Sequence, residues 1–312
     1  MRIVFMGTPE FAVPSLRVLA EQEEVVAVVT QPDKARGRGH KVSFSPVKQL
    51  AVELGIPVLQ PERVADPEFI RTMEELKPDL CVIVAFGQKI PDTLLELPRL
   101  GCINVHSSLL PKYRGASPIN MAIANGDNIT GVSTMYLSPE WDAGDVILQA
   151  EEPIYPDDTA GILHDRLMVK GAELLAETVR LIKEGTAPRV PQDHSQATYA
   201  FKLKKEDGRL DFQRSAEELS RLVRAMNPWP SAYTEIQGET IKVWEARPKE
   251  GIAQPGELVS VDSDALIVGC GAGLLALEKV QRPGGKVISG RDLANGLRLE
   301  AGQIIVGELS AD

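Results

Sequence analysis

The first 86 residues alternate short runs rich in β-branched side chains with amphipathic stretches of helical periodicity. This alternation predicts strands at 2–6, 25–30 and 79–86 and helices at 11–20, 46–54 and 67–76. Strands that alternate with helices form parallel sheets covered on both faces, and ligands bind beyond the carboxyl ends of those strands. The chain is therefore predicted to begin with an α/β domain built on a doubly wound, mostly parallel, Rossmann-like sheet.

The same pattern continues to residue 185. Further strands are predicted at 103–106 and 131–137, followed by a long helix at 158–184 that Gly185 ends. The next stretch, 186–204, is polar, contains two prolines and lacks periodicity, which is typical of a linker. We therefore expect a first domain over residues 1–185 and a linker over 186–204.

Residues 205–312 follow a different pattern. Ser215 and Glu218 form a capping box at the start of a helix, and Ser289 begins another helix that Gly296 is expected to end. Short strand candidates, separated by Gly, Pro and Asp turns, lie at 233–236, 240–246, 257–261, 265–268, 274–280 and 303–306. The pattern predicts a small OB-like β-barrel domain with one capping helix.

Composition limits the classes of function. The net charge is −10, and general attraction to nucleic acid depends on Lys and Arg beside phosphates, so any RNA contact must be local. Near the N-terminus the apolar run is only about four residues long, so we expect neither a signal peptide nor a membrane span. Three cysteines lie far apart along the chain. We therefore expect a cytoplasmic protein without a metal site or a membrane partner, and we expect it to be a monomer.

Two polar residues alternate with apolar ones on the predicted strand at 103–106. Strand side chains alternate between faces, so Asn104 and His106 share one face while Ile103 and Val105 share the other. An amide that donates to an oxyanion, beside an imidazole that exchanges a proton near neutral pH, suits attack on an acyl carbon. Such a pair more often binds only water or a neighbouring loop, so by itself it leaves the function open.

A longer motif follows this strand. The run HSSLLPKYRGASP begins at His106, and EWDAGD follows at 140–145 after a predicted helix and strand. This order of motifs strongly resembles the folate-dependent formyltransferase family, and the resemblance extends through Asn-Pro-Trp-Pro at 227–230 into the predicted barrel. It implies an enzyme that passes a formyl group from 10-formyltetrahydrofolate to an amine. The whole chain resembles the branch in which that amine is the α-amino group of initiator methionyl-tRNA.

The resemblance implies a catalytic set of Asn104, His106 and Asp142. Asp145 is a rival for the carboxylate, but only Asp142 occupies the family position. A purely turn-forming role for Asp142 beside Gly144 is the alternative. The sequence does not decide whether His106 begins the reaction as an acid or as a base.

The same resemblance implies residues around the two substrates. It places Phe11 beside the methionyl side chain. The residues that it assigns to the folate site are Phe86, Gly87, Gln88, Ser108, Leu109, Leu110 and Pro111. It assigns no metal ion to the reaction.

A cationic loop lies between residues 31 and 46. Its four cations, Lys34, Arg36, Arg38 and Lys41, face only Asp33 as an opposing charge. This composition suits a mobile loop that contacts a phosphate backbone, although a solvated surface loop is the plain alternative. By resemblance the four cations contact the acceptor arm of tRNA, with Arg38 at the most important position.

The second domain is not basic, because residues 205–312 contain 13 Lys and Arg against 17 Asp and Glu. A tRNA-binding role must therefore rest on one of its faces. The candidates for that face are Lys242, Arg247, Lys249, Lys279, Arg282 and Lys286, each of which is by default a solvated charge.

Three other functions compete with this hypothesis. A nucleotide-dependent dehydrogenase is disfavoured, because the first strand ends in Gly7 without the further glycines of a pyrophosphate site. A non-enzymatic RNA-binding module would leave Asn104, His106 and Asp142 without a role. A sister formyltransferase acting on an amino-sugar nucleotide or another small amine is the nearest rival, and the cationic loop favours tRNA over it.

Overall fold

The computed structural model describes residues 1–36 and 41–306. These residues pack as two units, each drawn from several segments of the chain. Unit 1 comprises Met1–Pro118, Ile129–Pro153 and His164–Ala200. Unit 2 comprises Ile119–Asn128, Ile154–Leu163 and the residues from Phe201 onward.

The strands of the described residues are short, as the β-branched runs predict. In the first 200 residues they are β1 (Arg2–Gly7), β2 (Glu24–Val29), β3 (Lys34–Arg36), β4 (Lys41–Ser43), β5 (Val58–Leu59), β6 (Leu80–Val84), β7 (Cys102–His106), β8 (Arg114–Gly115), β9 (Ile129–Tyr136), β10 (Val146–Pro153) and β11 (Tyr199–Ala200). Beyond residue 200 they are β12 (Ala232–Ile236), β13 (Glu239–Lys249), β14 (Leu258–Val261), β15 (Leu266–Gly269), β16 (Leu274–Gln281) and β17 (Val287–Ser289).

The helices follow the predicted amphipathic stretches closely. They are α1 (Val13–Gln22), α2 (Pro46–Glu53), α3 (Pro67–Leu76), α4 (Asp92–Leu95), α5 (Pro118–Asn125), α6 (Ala160–Glu184), α7 (Ala216–Ala225) and α8 (Gly290–Leu297). Gly185, with a φ of 73°, follows α6 as predicted. Ser215 and Glu218 form the predicted capping box of α7. In the described part of the chain, no helix combines the length and apolarity that crossing a bilayer requires.

The main sheet of unit 1 has the strand order β10-β9-β7-β6-β1-β2-β5. The five strands from β7 to β5 run parallel, which confirms the prediction of a mostly parallel sheet. The strand predicted at 131–137 is β9, but it runs antiparallel to β7. Strand β10, which the sequence pattern did not predict, pairs antiparallel with β9 and forms the edge. Periodicity locates a strand but carries no information on its direction.

Each face of this sheet is buried by helices. One face packs in a cluster with α3 and α4 that contains Val4, Met6, Phe69, Met73, Cys81, Ile83, Leu94 and Cys102. On the other face α6 lies so close to β7 that a Cβ at Gly171 would be 3.1 Å from Cγ1 of Val105. Asn104 and His106 share the face of Cys102, so they lie on the opposite side of the sheet from α6.

The three cysteines are free and buried. Cys81 and Cys102 are register partners on β6 and β7. Their sulfur contact, followed by burial, raises the pKa of Cys81, and burial raises the pKa of Cys270 to about 12. The thiols therefore behave as small apolar groups. Within residues 1–36 and 41–306, no three His, Cys, Asp or Glu side chains are grouped to hold a metal ion.

Unit 2 contains an antiparallel sheet with the order β12-β13-β16-β15-β14, and β17 also pairs with β16. The strand predicted at 303–306 is wrong. Ile304 makes one isolated bridge to Glu257, because among the described residues the stretch contacts only Gly256, Glu257 and the first residue of β14, Leu258, and does not continue along that strand. Gly296 does not end α8, since the helix continues to Leu297 and Arg298 adopts the left-handed cap. Among the described pairings, none joins β12 to β14, so closure into an OB-like barrel stays a prediction.

A buried hydroxyl chain links α6 to the sheet and gives a test of the fold. Thr178 Oγ1 donates to the Leu174 carbonyl oxygen at 2.8 Å, so Thr134 Oγ1 donates to Thr178 Oγ1 at 2.7 Å and accepts from the Leu148 amide at 3.2 Å. Thr134→Val leaves the Leu148 amide without this acceptor, which should lower the free energy of unfolding by about 1–3 kcal/mol. Urea denaturation measures this free energy of unfolding. Ile129→Val, at an exposed position of the same strand, should change the free energy of unfolding by less than about 0.5 kcal/mol. An unchanged stability for Thr134→Val would contradict the hydrogen-bond chain.

Candidate active site

The carboxyl end of β7 carries the two polar residues that the sequence pattern placed on one face. His106 is buried, with 6% of its surface exposed, whereas Asn104 is half-buried. Among the described residues, no protein group bonds to the Asn104 side chain. Its amide donors are therefore available to a bound molecule.

His106 is held through both sides of its ring. Nε2 lies 2.9 Å from the carbonyl oxygen of Tyr113. A carbonyl oxygen only accepts, so Nε2 carries a hydrogen and Nδ1 is the nitrogen that gains or loses a proton. Nδ1 lies 3.8 Å from Oδ2 of Asp142, which is longer than a hydrogen bond but within the range of an ion pair when the ring is protonated. The structure thus brings His106 and Asp142 together.

Asp142 reaches His106 on the loop between β9 and β10. Its backbone has a φ of 50°, a left-handed conformation that Asp tolerates better than most residues. Oδ2 also accepts a hydrogen bond from the Gly115 amide at 2.9 Å. Gly144 fits beside the Tyr136 carbonyl, where a Cβ would lie 1.9 Å from the oxygen. Asp145 lies apart from this contact and faces Arg189 at 3.8 Å.

The segment 113–115 contacts both His106 and Asp142, and it is fixed in turn by residues 198–200. The Tyr113 amide donates to Oγ1 of Thr198 at 2.8 Å, and the Arg114 amide donates to the Thr198 carbonyl at 2.8 Å. Strands β8 and β11 then pair in parallel, so Gly115 faces Ala200. The polar stretch predicted as a linker therefore contacts the backbone that holds the candidate catalytic residues.

The loop 108–111, which the resemblance assigns to the folate site, is held by hydrogen bonds from β9 and β10. The Ser133 hydroxyl donates to the Ser108 carbonyl at 2.6 Å and accepts from the Leu110 amide at 3.0 Å. Gln149 donates to the Leu110 carbonyl and to Ser133, each at 2.9 Å. The side chains of Ser108 and Leu110 are buried, so Leu109 and Pro111, which are partly exposed, have the larger free surface.

The second stretch assigned to folate follows β6. The Phe86 side chain belongs to the core, and its carbonyl oxygen accepts from Thr8 at 3.4 Å and from Gln31 at 3.2 Å. The Gln88 side chain accepts a hydrogen bond from the Val64 amide and donates one to the Glu62 carbonyl oxygen. Gly87 is exposed and open, since the nearest atom to a Cβ there would be 4.0 Å away. The backbone around Gly87, instead of the Phe86 ring, is thus available for a ligand.

Phe11, which the resemblance assigns to the methionyl pocket, is buried in the short turn of helix that follows β1. Its ring meets the imidazole of His164 edge to face, with centroids 5.3 Å apart. His164 in turn contacts Asp165 through Nδ1 at 2.9 Å. Nothing in the sequence pattern marks His164 as a site residue.

The cationic loop begins and ends in a short antiparallel ribbon. Lys34 pairs with Ser43, and Arg36 pairs with Lys41, in β3 and β4. Arg38 lies outside the described residues. Asp33 forms an ion pair with Lys48 of α2. The hydrogen bond from Lys48, followed by that from Gln60, lowers the pKa of Asp33, so this carboxylate is held ionised beside Lys48.

Several residues around the site were not found by sequence reasoning. Gln192 donates to the backbone of the Asp142 loop and accepts from Arg114. Ser133 and Gln149 hold the loop at 108–111, and Thr198 holds 113–114. Arg114 lies inside the motif that carries the family resemblance, which is a signal that could have marked it. Contacts that join distant segments leave no local pattern in the sequence.

Two family models define the class of this protein. The formyl transferase model matches residues 1–179, and the model of the formyl transferase C-terminal domain matches residues 202–298. The methionyl-tRNA formyltransferase of Geobacter metallireducens is 48% identical over 303 residues, which cover 97% of this chain and 97% of that protein. The methionyl-tRNA formyltransferase of Acetivibrio thermocellus is 47% identical over 98% of this chain and 99% of its own. The chain therefore belongs to the methionyl-tRNA formyltransferase family.

Solved structures share the fold at much lower identity. An N-formyltransferase from Helicobacter canadensis, in complex with folinic acid and dTDP-3-aminofucose, has a TM-score of 0.68 at 18% identity, covering 88% of this chain and 98% of its own. HypX from Aquifex aeolicus, in complex with tetrahydrofolic acid, has a TM-score of 0.61 at 20% identity and covers all of this chain, which spans 50% of HypX. At these identities the likeness shows the fold alone.

Gly115 tests the contact between the 113–115 segment and Asp142. Its φ is 120°, and a Cβ would lie 2.5 Å from the Ala200 carbonyl oxygen. We expect Gly115→Ala to displace the amide that holds Asp142, to lower turnover at least about tenfold and to cost about 1–3 kcal/mol of stability.

Gly55→Ala is the matched control, because Gly55 also has a positive φ, 69°, but no atom lies within 4 Å of a Cβ there. This control should lose about 1 kcal/mol of stability and keep its turnover. Steady-state kinetics and urea denaturation separate the two effects. Normal turnover in Gly115→Ala would show that the amide does not matter to the reaction.

Proposed function

We propose that this chain transfers the formyl group of 10-formyltetrahydrofolate to the α-amino group of initiator methionyl-tRNA, giving formylmethionyl-tRNA for translation initiation. Identity of 47–48% over nearly the whole length with proteins of that name carries the proposal. The grouping of Asn104, His106 and Asp142 at the carboxyl end of a parallel strand supports it, since ligands bind there. Such a reaction belongs to the cytoplasm, and we propose a single chain as the active form.

The donor site would lie along the open backbone at Gly87 and the anchored loop 108–111. Both flank the carboxyl ends of β6 and β7, and both are fixed by hydrogen bonds instead of being free loops. HypX, with the same fold, holds tetrahydrofolic acid. Bound there, a formyltetrahydrofolate supplies a formyl group already activated for transfer.

In the proposed mechanism the amine nitrogen of the acceptor attacks the formyl carbon. The new carbon–nitrogen bond forms, the bond to the donor nitrogen breaks, and one proton passes from the acceptor amine to the donor nitrogen. Asn104 donates from its amide to the oxygen that becomes negative. His106 accepts the proton at Nδ1, through water, and returns it to the leaving nitrogen.

Asp142 would act on His106. Its carboxylate, 3.8 Å from Nδ1, stabilises the positive charge that the ring carries while it holds the proton. The Gly115 amide keeps the carboxylate in place through a hydrogen bond of 2.9 Å. Because Nε2 is occupied by the Tyr113 carbonyl, the proton can move only at Nδ1.

Acceptor choice would rest on the loop between residues 31 and 46. With Asp33 paired to Lys48, the four loop cations have no neutralising carboxylate in their own segment. In the second unit, Arg247, Lys249 and Arg282 form ion pairs with acidic neighbours, which reduces their value as phosphate ligands. Lys242 lies over the ring of Trp244, at 5.5 Å from its centroid. The amino-sugar alternative is not favoured, because the named sugar enzymes of this fold share only 18% identity.

The catalytic roles predict a loss of turnover. Asn104→Ala removes an oxyanion donor, and His106→Ala removes the proton acceptor, so each should lower kcat by roughly two to three orders of magnitude. Formylation of methionyl-tRNA is measured with both substrates saturating. Asn295→Ala, an exposed asparagine of α8, is the matched control and should keep its kcat. Near-normal turnover in either active-site variant would reject that residue's role.

The loop predicts a salt dependence. If four cations meet phosphates, the logarithm of affinity for methionyl-tRNA should fall with the logarithm of salt concentration, with a slope of roughly −0.7 to −0.9 per contact. Arg38→Ala should flatten that slope by nearly one contact, whereas Arg71→Ala, exposed on α3, should leave it unchanged. Binding titrations over a range of salt concentrations test this. Salt-insensitive binding would indicate a small acceptor instead.

A further inference from the structure

We propose that Gln192 is a positioning residue for Asp142 and, through it, part of the active site. The side-chain amide of Gln192 holds the backbone carbonyls of Asp142 and of Gly144, two residues later. This inference rests on the proposed function, in which Asp142 stabilises the protonated form of His106.

The amide of Gln192 spans the turn that carries Asp142. Nε2 donates to the Asp142 carbonyl oxygen at 2.9 Å and to the Gly144 carbonyl oxygen at 2.8 Å. Both amide hydrogens are thus used on one loop. Gln192 is 7% exposed, so water does not compete strongly for these carbonyls. The left-handed backbone of Asp142 is fixed at its own carbonyl and again two residues later.

The orientation of this amide is set by Arg114. The guanidinium donates to Gln192 Oε1 from Nε at 3.0 Å and from Nη2 at 2.7 Å. A guanidinium only donates and a carbonyl only accepts, so a reversed Gln192 amide would place like groups together at both ends. Arg114 is 3% exposed and, among the described residues, has no carboxylate partner. Gln192 is therefore its principal acceptor, and the bond is charge-assisted.

Together these contacts hold both the backbone and the carboxylate of Asp142. Arg114 directs Gln192, Gln192 holds the Asp142 backbone, and the amide of Gly115, the residue after Arg114, holds the Asp142 carboxylate at 2.9 Å. The chain just before Gln192 is fixed too, since Val190 and Val146 exchange backbone hydrogen bonds of 2.9 and 3.0 Å. In the described hydrogen bonds, neither the Arg114 nor the Gln192 side chain bonds to Asn104 or His106, so we assign each a role that acts through Asp142.

The test combines single and double substitutions. Gln192→Ala should lower kcat by about 10- to 100-fold and change KM for both substrates by less than about twofold, because the carboxylate is displaced while binding surfaces remain. Gln192→Glu keeps the acceptor for Arg114 but sets a carboxylate oxygen against two carbonyls, so its loss should be at least as large. Gln196→Ala, exposed in the same segment, should keep wild-type kinetics.

The decisive comparison is made in an Asp142→Ala background. There Gln192→Ala should lower kcat by less than a further factor of about two, because the carboxylate that Gln192 positions has been removed. An equal fold-loss in both backgrounds would mean that Gln192 acts independently of Asp142 and would overturn the proposal. Wild-type kcat in both Gln192 variants would overturn it as well. Urea denaturation checks that each variant is folded. If Gln192→Ala fails to fold, Gln192→Glu, which retains the Arg114 contact, provides the test instead.

The outcomes also separate this inference from the proposed function. No formyl transfer to methionyl-tRNA by the wild-type enzyme would reject the proposed function and this inference with it. Transfer by the wild type, with loss of kcat in Asp142→Ala but not in Gln192→Ala, would reject only the positioning role.

Discussion

The hydrogen bond from the Gly115 amide to the Asp142 carboxylate joins segments that lie 27 residues apart, and the arrangement of the site depends on it. On one side, the same backbone run presents the Tyr113 carbonyl to His106 and so fixes which ring nitrogen carries the hydrogen. On the other side, the Arg114 side chain directs Gln192 to the Asp142 loop. A three-residue segment thus determines the positions of both an imidazole and a carboxylate. Its own position depends on Thr198 and Ala200, which come much later in the chain.

The sheet explains why these groups can meet. Five parallel strands direct their carboxyl ends to one edge, where the Asn104 amide and the His106 ring emerge from β7. Strand β9 runs antiparallel to β7, so its last residue, Tyr136, lies opposite Ile103 near the start of β7. The β9–β10 loop then carries Asp142 back along the length of β7, to 3.8 Å from the His106 ring. The course of this loop is therefore part of how the site is assembled.

Much of this could be predicted from the sequence, where the signal is local. Alternation of apolar runs placed β1, β2, β6 and β7, and strand periodicity put Asn104 and His106 on one face. Family motifs selected Asp142 over Asp145, and the structure places Asp142 beside His106. Strand β10 was missed because its outer half is polar, and the one fully buried residue of that half is a charged one, Glu152. Gln192 was missed because nothing in a polar, proline-containing stretch reveals a partner 50 residues away.

The passage of residues 190–200 through the site has a consequence for how this family can be divided. The formyl transferase model ends at residue 179, and a boundary drawn there would cut the chain before Gln192 and Ala200. Such a fragment would keep Asn104, His106 and Asp142 yet lose the groups that hold two of them in place. The part of the chain that is needed to build the site is therefore longer than the part that carries the most recognisable motifs. A cut after residue 179 would remove the contacts that Thr198 makes to Tyr113 and that Gln192 makes to the Asp142 loop, whereas a cut after residue 200 would leave them in place.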